Sequence, residues 1–257
     1  MVTHLNWIAL STLTRREVMR FFRIWTQTLL PSPVSMVLYF VIFGGLIGPR
    51  IGVIDGYRYI EYIAPGLIMM AVINNAYANV VASFFGTKFQ RNIEEMYVSP
   101  MSSWVIMLGF MIGGVARGCL VGLIVTCVAL FFTKLHVHNM AVIFFSVLLT
   151  AMLFSLAGLI NAIFSKKFDD ISIIPTFVLT PLTYLGGVFY SMHMLSPFWQ
   201  KLSHLNPILY MVNAFRYGML GVSDVPVEIS LIFIGACCVI LYFWTWYLLE
   251  EGTAMKS

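Results

Sequence analysis

The chain has 257 residues, 60% of them hydrophobic and only 10% charged, with a formal net charge of +4 and a mean hydropathy of +0.89. A soluble domain carries about 25% charged residues, so this composition excludes a water-soluble globule, and lipid is the solvent for most of the chain. The small positive charge does not point to nucleic acid; where the charges sit matters more than their sum.

In chain order, residues 5–25 are expected to form an amphipathic helix on the membrane surface. Trp7, Leu10, Val18, Phe21, Phe22 and Trp25 fall on one side at helical spacing, and Arg16, Arg20 and Arg23 on the other. An aromatic face opposite an arginine face suits an interfacial helix that anchors the entry to the first span. The basic region is too long, and lacks the small-residue site, for a cleavable signal.

A crossing helix needs about 20 mostly apolar residues. The apolar runs at 29–48, 63–85, 104–132, 140–164, 171–189 and 229–248 predict about six spans. The third is over-long, and so tilted or extended past the bilayer. Segments 1–28, 86–103, 165–170 and 249–257 hold Arg15, Arg16, Arg20, Arg23, Lys88, Arg91, Lys166, Lys167 and Lys256. Segments 49–62, 133–139 and 190–228 hold only Arg50, Arg58, Lys134, Lys201 and Arg216. By the positive-inside rule both termini are cytoplasmic, and so is the charged stretch after span two.

That stretch, 84–100, reads as an amphipathic helix. Phe85, Phe89, Ile93 and Met96/Tyr97 share a face, Lys88, Arg91, Asn92 and Glu95 lie off it, and Pro100 ends it. Such a helix either lies in the headgroups or offers a handle to a soluble partner.

Span two carries Asn75, Asn79 and Ser83 as one stripe, with Asn74 and Tyr77 elsewhere on the helix. Span five carries Thr176, Thr180 and Tyr184 at the same spacing, flanked by Pro175 and Pro181. Each stripe reads as interhelical hydrogen bonding or as the wall of a transport pathway. Span three bears the ladders Gly109/Gly113 and Gly114/Gly118/Gly122, which allow close helix packing. Arg117 lies among them with no acidic residue inside any span to pair with it, and both a structural and a functional role stay open. After span five, Gly186, Gly187 and Ser191 loosen the chain. Met194–His204 and Pro207–Leu220 are too short to cross, so 192–221 reads as an outer re-entrant helical hairpin.

Several chemistries are absent. Gly86-Thr87-Lys88 lacks the rest of a phosphate-binding loop, so the chain does not bind ATP by that route. No nucleophile elbow, zinc-protease helix or C-x-x-C pair occurs. His136 and His138 stand isolated, and Cys119, Cys127, Cys237 and Cys238 sit in apolar runs as packing residues. Asp169 and Asp170 read as helix N-terminal residues. Neither a catalytic set nor a metal set emerges.

The order and spacing of these features resemble the permease subunits of the type-2 class of ABC exporters. The resemblance rests on the basic N-terminal helix, Glu94…Ser99-Pro100 after span two, and Gly186-Gly187-Val188-Phe189, Pro197, Asn206-Pro207, Tyr210 and Arg216. It covers essentially the whole chain, 1–257, as one permease domain of an all-α membrane protein. Tyr190-Ser191 departs from it, where many members have a proline-containing turn. The resemblance implies a homodimer in the bacterial inner membrane, bound to two copies of an ABC ATPase that carries the ATP and Mg; the permease itself binds no cofactor. It makes 87–98 the coupling helix, with Lys88, Phe89, Gln90, Arg91, Asn92, Glu94, Glu95 and Met96 as contacts. It makes spans two and five the pathway, with Asn75, Asn79, Ser83, Thr176, Thr180 and Tyr184 on its wall, for a hydrophobic or amphipathic substrate. The alternative is an ATPase-independent transporter or channel, which would need an ion-coupling carboxylate or a wide polar pore that the spans do not offer. An intramembrane enzyme ranks lower for want of paired catalytic groups.

Overall fold

Lipid offers the backbone no hydrogen bonds, so each apolar run must satisfy its own peptide groups as a helix. The computed structural model describes residues 2–99 and 101–253 and bears this out. Its elements are α1 (Val2–Arg23), α2 (Trp25–Ile51), a two-stranded hairpin of β1 (Val53–Ile54) and β2 (Tyr57–Arg58), α3 (Tyr59–Phe89) and α4 (Asn92–Val98). Then follow α5 (Ser103–Phe132), α6 (Met140–Phe164), α7 (Asp170–Leu185), α8 (Pro197–His204), α9 (Pro207–Leu220) and α10 (Val227–Glu250). Pro100 and Lys256 lie outside the described residues.

Among the described residues five helices, α2, α3, α5, α6 and α10, are long and apolar enough to cross a bilayer. The run expected as a span at 171–189 is shorter. Gly187, at φ +70, turns the chain just past Leu185, leaving α7 about 24 Å long at 1.5 Å per residue. Pro175 and Pro181 also remove two N–H donors from α7, and its backbone loosens to a π-helical turn at Pro175–Leu179. By contrast α5, with 30 residues, is about 45 Å long, as its apolar run implied.

Helix α3 is the centre of the molecule, buried along most of its length against α5, α6 and α9. The glycines of α5 explain how two helices approach it at once. A Cβ on Gly118 would stand 3.0 Å from the Ala76 side chain, and one on Gly122 would stand 2.7 Å from Val72, so the 114/118/122 row seats α3. A Cβ on Gly109 would strike Leu13, and one on Gly113 would stand 2.6 Å from the Cβ of Glu17, so the 109/113 row seats α1.

That seat changes the reading of α1. Asn6, Leu10, Leu13, Glu17 and Phe21 form a buried row against the rest of the protein. Trp7 and Phe22 stay exposed on one flank, and Arg16 and Arg23 on the other. The helix therefore has three faces where two were expected; Leu10 and Phe21 belong to the protein face, not to an aromatic lipid face.

The single helix expected over 84–100 is broken. Helix α3 ends at Phe89, Arg91 adopts a left-handed φ of +60, and α4 starts at Asn92. The break turns Phe89 outward and Ile93 and Met96 inward, so the four do not share a face.

The segment expected as a re-entrant hairpin holds a 3-10 turn at Met192–Met194, then α8 and α9. The Asn206 side chain accepts the Ile208 N–H at 2.9 Å and caps α9, and Gly221 at φ +76 ends it. Helix α9 packs on α6, α10 and α3.

Candidate coupling segment and transport seam

The charged segment is tied to the protein at four points. The Lys88 ammonium donates to the carbonyls of Ile163 (2.7 Å) and Ser165 (2.8 Å), capping the C-terminal end of α6. Phe89 and Phe85 meet Phe168 edge-on, at 4.8 and 5.0 Å between ring centroids, which joins the end of α3 to the α6–α7 loop. Ile93 and Met96 of α4 bury themselves with Phe84, Ile106 and Leu159. The Tyr97 hydroxyl donates to the Leu249 carbonyl at 2.9 Å, at the end of α10. Burial, aided by Glu250, pushes the Tyr97 phenol up to about 12, so it remains a donor at neutral pH. Beyond α4, Asn6 of α1 donates to the Ser102 hydroxyl at 3.0 Å.

Six of the eight expected contact residues are presented together to solvent: Phe89, Gln90, Arg91, Asn92, Glu94 and Glu95. Lys88 and Met96 point inward, and the Lys88 ammonium is committed to the α6 carbonyls. Lys88→Met should therefore destabilise the protein by itself. Leaving terminal carbonyls of α6 without their donor costs about 1–3 kcal/mol, read as a lower melting temperature in detergent. An unchanged melting temperature would sink the assignment. A cleft of about 570 Å³ runs between α1 and α4, with Leu5, Ile8 and Arg16 on one wall and Asn92, Glu95 and Met101 on the other.

The two polar stripes do not face each other. Asn75, Asn79 and Ser83 lie inside the protein, covered by α1, α2 and α5. Asn75 donates to Ser32 at 2.8 Å and accepts from Arg117 at 3.0 Å, and Arg117 also donates to the Thr28 carbonyl at 2.9 Å. Arg20 donates to the Asn79 backbone and side-chain oxygens at 2.9 and 2.8 Å. The Ser83 hydroxyl donates to the Glu17 carboxylate in a short hydrogen bond. Glu17 also meets Arg16 at 3.1 Å and Arg20 at 3.5 Å, with its side chain only 1% exposed. The acid missing from the spans is thus supplied by α1. Glu17 escaped notice in the sequence, yet its spacing gave a signal: a lone acid in register with Leu10, Leu13 and Phe21.

Thr176, Thr180 and Tyr184 lie exposed along α7. The open side of α3 is a different row, Asn74, Ala78 and Ala82. Beside it, α2 contributes Ser35, exposed, and Tyr39. Two cavities share Ser35 and Tyr39: one of about 190 Å³ reaching Ser32, Met70 and Asn74, the other of about 280 Å³ reaching Ile42 and Phe43. Aromatic rings close one end of this seam. Phe189 stacks between Phe43 (4.9 Å) and Tyr184 (5.8 Å), and Tyr39 lies 6.0 Å away.

The remaining candidates have local explanations. His136 packs near Tyr57 and His138 against Tyr217. Among the described residues no group of three or more His, Cys, Asp or Glu could hold a metal ion. The Asp170 carboxylate accepts the N–H groups of Lys166 and Lys167, both at 2.9 Å, and closes the α6–α7 turn.

Residues 8–220 match the family model described as ABC-2 type transporter. The chain is 56% identical over 254 residues to "Inner membrane transport permease YadH" of Escherichia coli (strain K12), covering 99% of each chain. It is 23% identical over 235 residues to "Nodulation protein J" of Neorhizobium galegae, covering 91% of this chain and 87% of that protein. The protein is therefore a multi-pass inner-membrane transport subunit, not an enzyme by itself, of a kind that normally works with an ABC ATPase partner. Its apolar bundle, its outward-held charged helix and a match running through nearly the whole of that bundle agree: the chain belongs to the permeases of the ABC-2 type transporter family.

Proposed function

We propose that two copies of this chain form the substrate pathway of an ATP-driven exporter, powered by two copies of a separate ABC ATPase docked on α4. The observation that carries this reading is the segment Gln90–Glu95. It holds charged side chains in solvent beside and on a short helix whose inner face packs with Phe84, Ile106 and Leu159 and whose Tyr97 bonds to the end of α10. A brace of that kind transmits a push; a helix that merely rests on lipid does not need it. In this reading ATP and Mg bind the partner, and both termini and α4 face the cytoplasm, consistent with the excess of Lys and Arg there.

The pathway follows from a solvation argument. Ser35 and Asn74 are exposed together on the open seam, and Thr176 and Thr180 along α7. Polar groups left in hydrocarbon are costly, so a second copy facing this seam would enclose them around a hydrophobic or amphipathic substrate. Asn75, Asn79 and Ser83 then support the wall from behind, through Arg117, Arg20 and Glu17.

The test is co-purification of the tagged chain with its partner ATPase. Reversing Arg91, Glu94 and Glu95 together (R91E, E94K, E95K) is expected to cut complex recovery and complex-dependent ATP hydrolysis by roughly tenfold or more, since close charge pairs at an interface each contribute on the order of 1.5 kcal/mol or above. A complex that persists undiminished would mean α4 is not the docking element.

A further inference from the structure

The two halves of α7 are held very differently. At its hairpin end the backbone is fastened on every side. The Asn206 side chain donates to the Leu182 carbonyl at 2.6 Å, and the Tyr59 hydroxyl to the Phe189 carbonyl at 3.1 Å. Val188 lies so close to α3 that a Cβ on Gly66 would stand 2.5 Å from its carbonyl oxygen. At the other end, Ile173, Thr176, Phe177 and Val178 are exposed, Phe177 by 74%. There Ile171 packs on the bundle, and its carbonyl accepts from the Asn161 side chain at 3.3 Å. Between the halves lie Pro175, Pro181 and the π-helical turn, where the ladder of hydrogen bonds is already broken.

At the centre of the fastened end is a buried charge pair. Arg216 of α9 is fully buried. Its guanidinium lies 4.1 Å over the Tyr62 ring of α3 and donates to the Gly187 carbonyl. Its Nη1 stands 3.8 Å from Asp224, which is 3% exposed. Asp224 in turn accepts from the Ser191 hydroxyl at 2.8 Å and the Met192 N–H at 3.2 Å, and its own N–H donates to Asn213 at 2.8 Å. One carboxylate and one guanidinium thus join α3, α9, the α9–α10 loop and the chain leaving α7. A buried charge pair holds its geometry strictly, because separating the charges leaves each unsolvated.

We propose that Arg216 and Asp224 are positioning residues that clamp the hairpin end of α7, making it the fixed pivot of a pathway helix whose opposite half swings. This rests on the pathway reading above for its role in transport, but the clamp itself belongs to the isolated chain. Motion of α4 and the α6–α7 loop, linked through Phe89 and Phe168, would reach α7 at its free end, Asp170, and widen or narrow the seam at Thr176 while Gly187–Met192 stays still.

Hydrogen–deuterium exchange on the full chain in nanodiscs reads residues 170–181 and 186–195 as separate peptides. Asp224→Asn removes the charge facing Arg216 and weakens the acceptor for Met192. Exchange in 186–195 is expected to rise, with 170–181 unchanged. Ser191→Ala deletes one hydrogen bond and leaves the charge pair intact, so it keeps the test readable if the first variant does not fold; a smaller rise confined to 186–195 is expected. No rise in either variant, or an equal rise in 170–181, overturns the clamp. With the ATPase bound and nucleotide trapped, exchange should change in 170–181 and hold in 186–195; equal changes in both overturn the pivot. An ATPase that does not bind refutes the docking reading instead, and leaves the variants of the isolated chain to decide the clamp.

Discussion

Glu17→Ala is expected to lower the stability of the permease by roughly 2–4 kcal/mol, less than the loss of one partner from a fully buried pair because Arg16 and part of Arg20 reach solvent. The carboxylate faces three groups at once: the Ser83 hydroxyl, Arg16 and Arg20. Removing it leaves the buried Ser83 hydroxyl without its acceptor and takes away the charge that offsets the neighbouring Arg16 and Arg20. Arg20 also holds Asn79, so the damage reaches the middle of α3. Glu17→Gln keeps an acceptor for Ser83 and should lose about half as much. The measurement is thermal unfolding of the detergent-solubilised chain followed by size-exclusion fluorescence. An alanine variant melting within about 1 °C of wild type, when several kcal/mol correspond to several degrees in a chain of this size, would show that α1 rests on the surface and is not locked into it.

Gly66→Val is expected to destabilise by about 3 kcal/mol, at the upper end of overpacking costs. The new Cβ would stand 2.5 Å from the Val188 oxygen and 2.9 Å from its Cα, both backbone atoms that no rotamer change can move. The chain between Gly186 and Tyr190 would have to shift, and with it the bonds from Arg216 to Gly187 and from Tyr59 to Phe189. Gly86→Ala, on the same helix, is the control. Its Cβ would meet nothing within 4 Å, and replacing a helical glycine that has this room gains up to about 1 kcal/mol. Equal melting temperatures for the two variants would remove the close approach as the reason for glycine at 66.

Much of the architecture was legible because it depends on local properties of the chain. Apolar length marked α2, α3, α5, α6 and α10, and the proline and glycine spacing marked the hairpin of α8 and α9. The glycine ladders of α5 were visible too, though not that the two rows serve different helices. The charged segment stood out by composition, while its break did not, since a left-handed Arg91 has no sequence signature of the kind a glycine would carry. Lys88 looked like a handle for a partner and turned out to cap a helix more than 70 residues away in the chain.

The sequence by itself determined the solvent, the helical runs, the position of the charged segment and the lack of a G-x-x-x-x-G-K-S/T phosphate-binding motif. Each of these follows from hydropathy, periodicity or a motif within a short window. Only the tertiary structure decided which face of each helix is inside. Asn74 and Asn75 are neighbours in the chain, yet Asn75 lies under α1, α2 and α5 and Asn74 on the open seam. In water an amphipathic pattern would separate them. In lipid both the outside and the inside of a helix bundle are apolar, so a helix such as α5 is hydrophobic all round and its pattern says little about orientation. The same holds for Glu17 and Arg216: their charge was plain in the sequence, but the partners that allow them to be buried come from other helices, and packing alone brings them together.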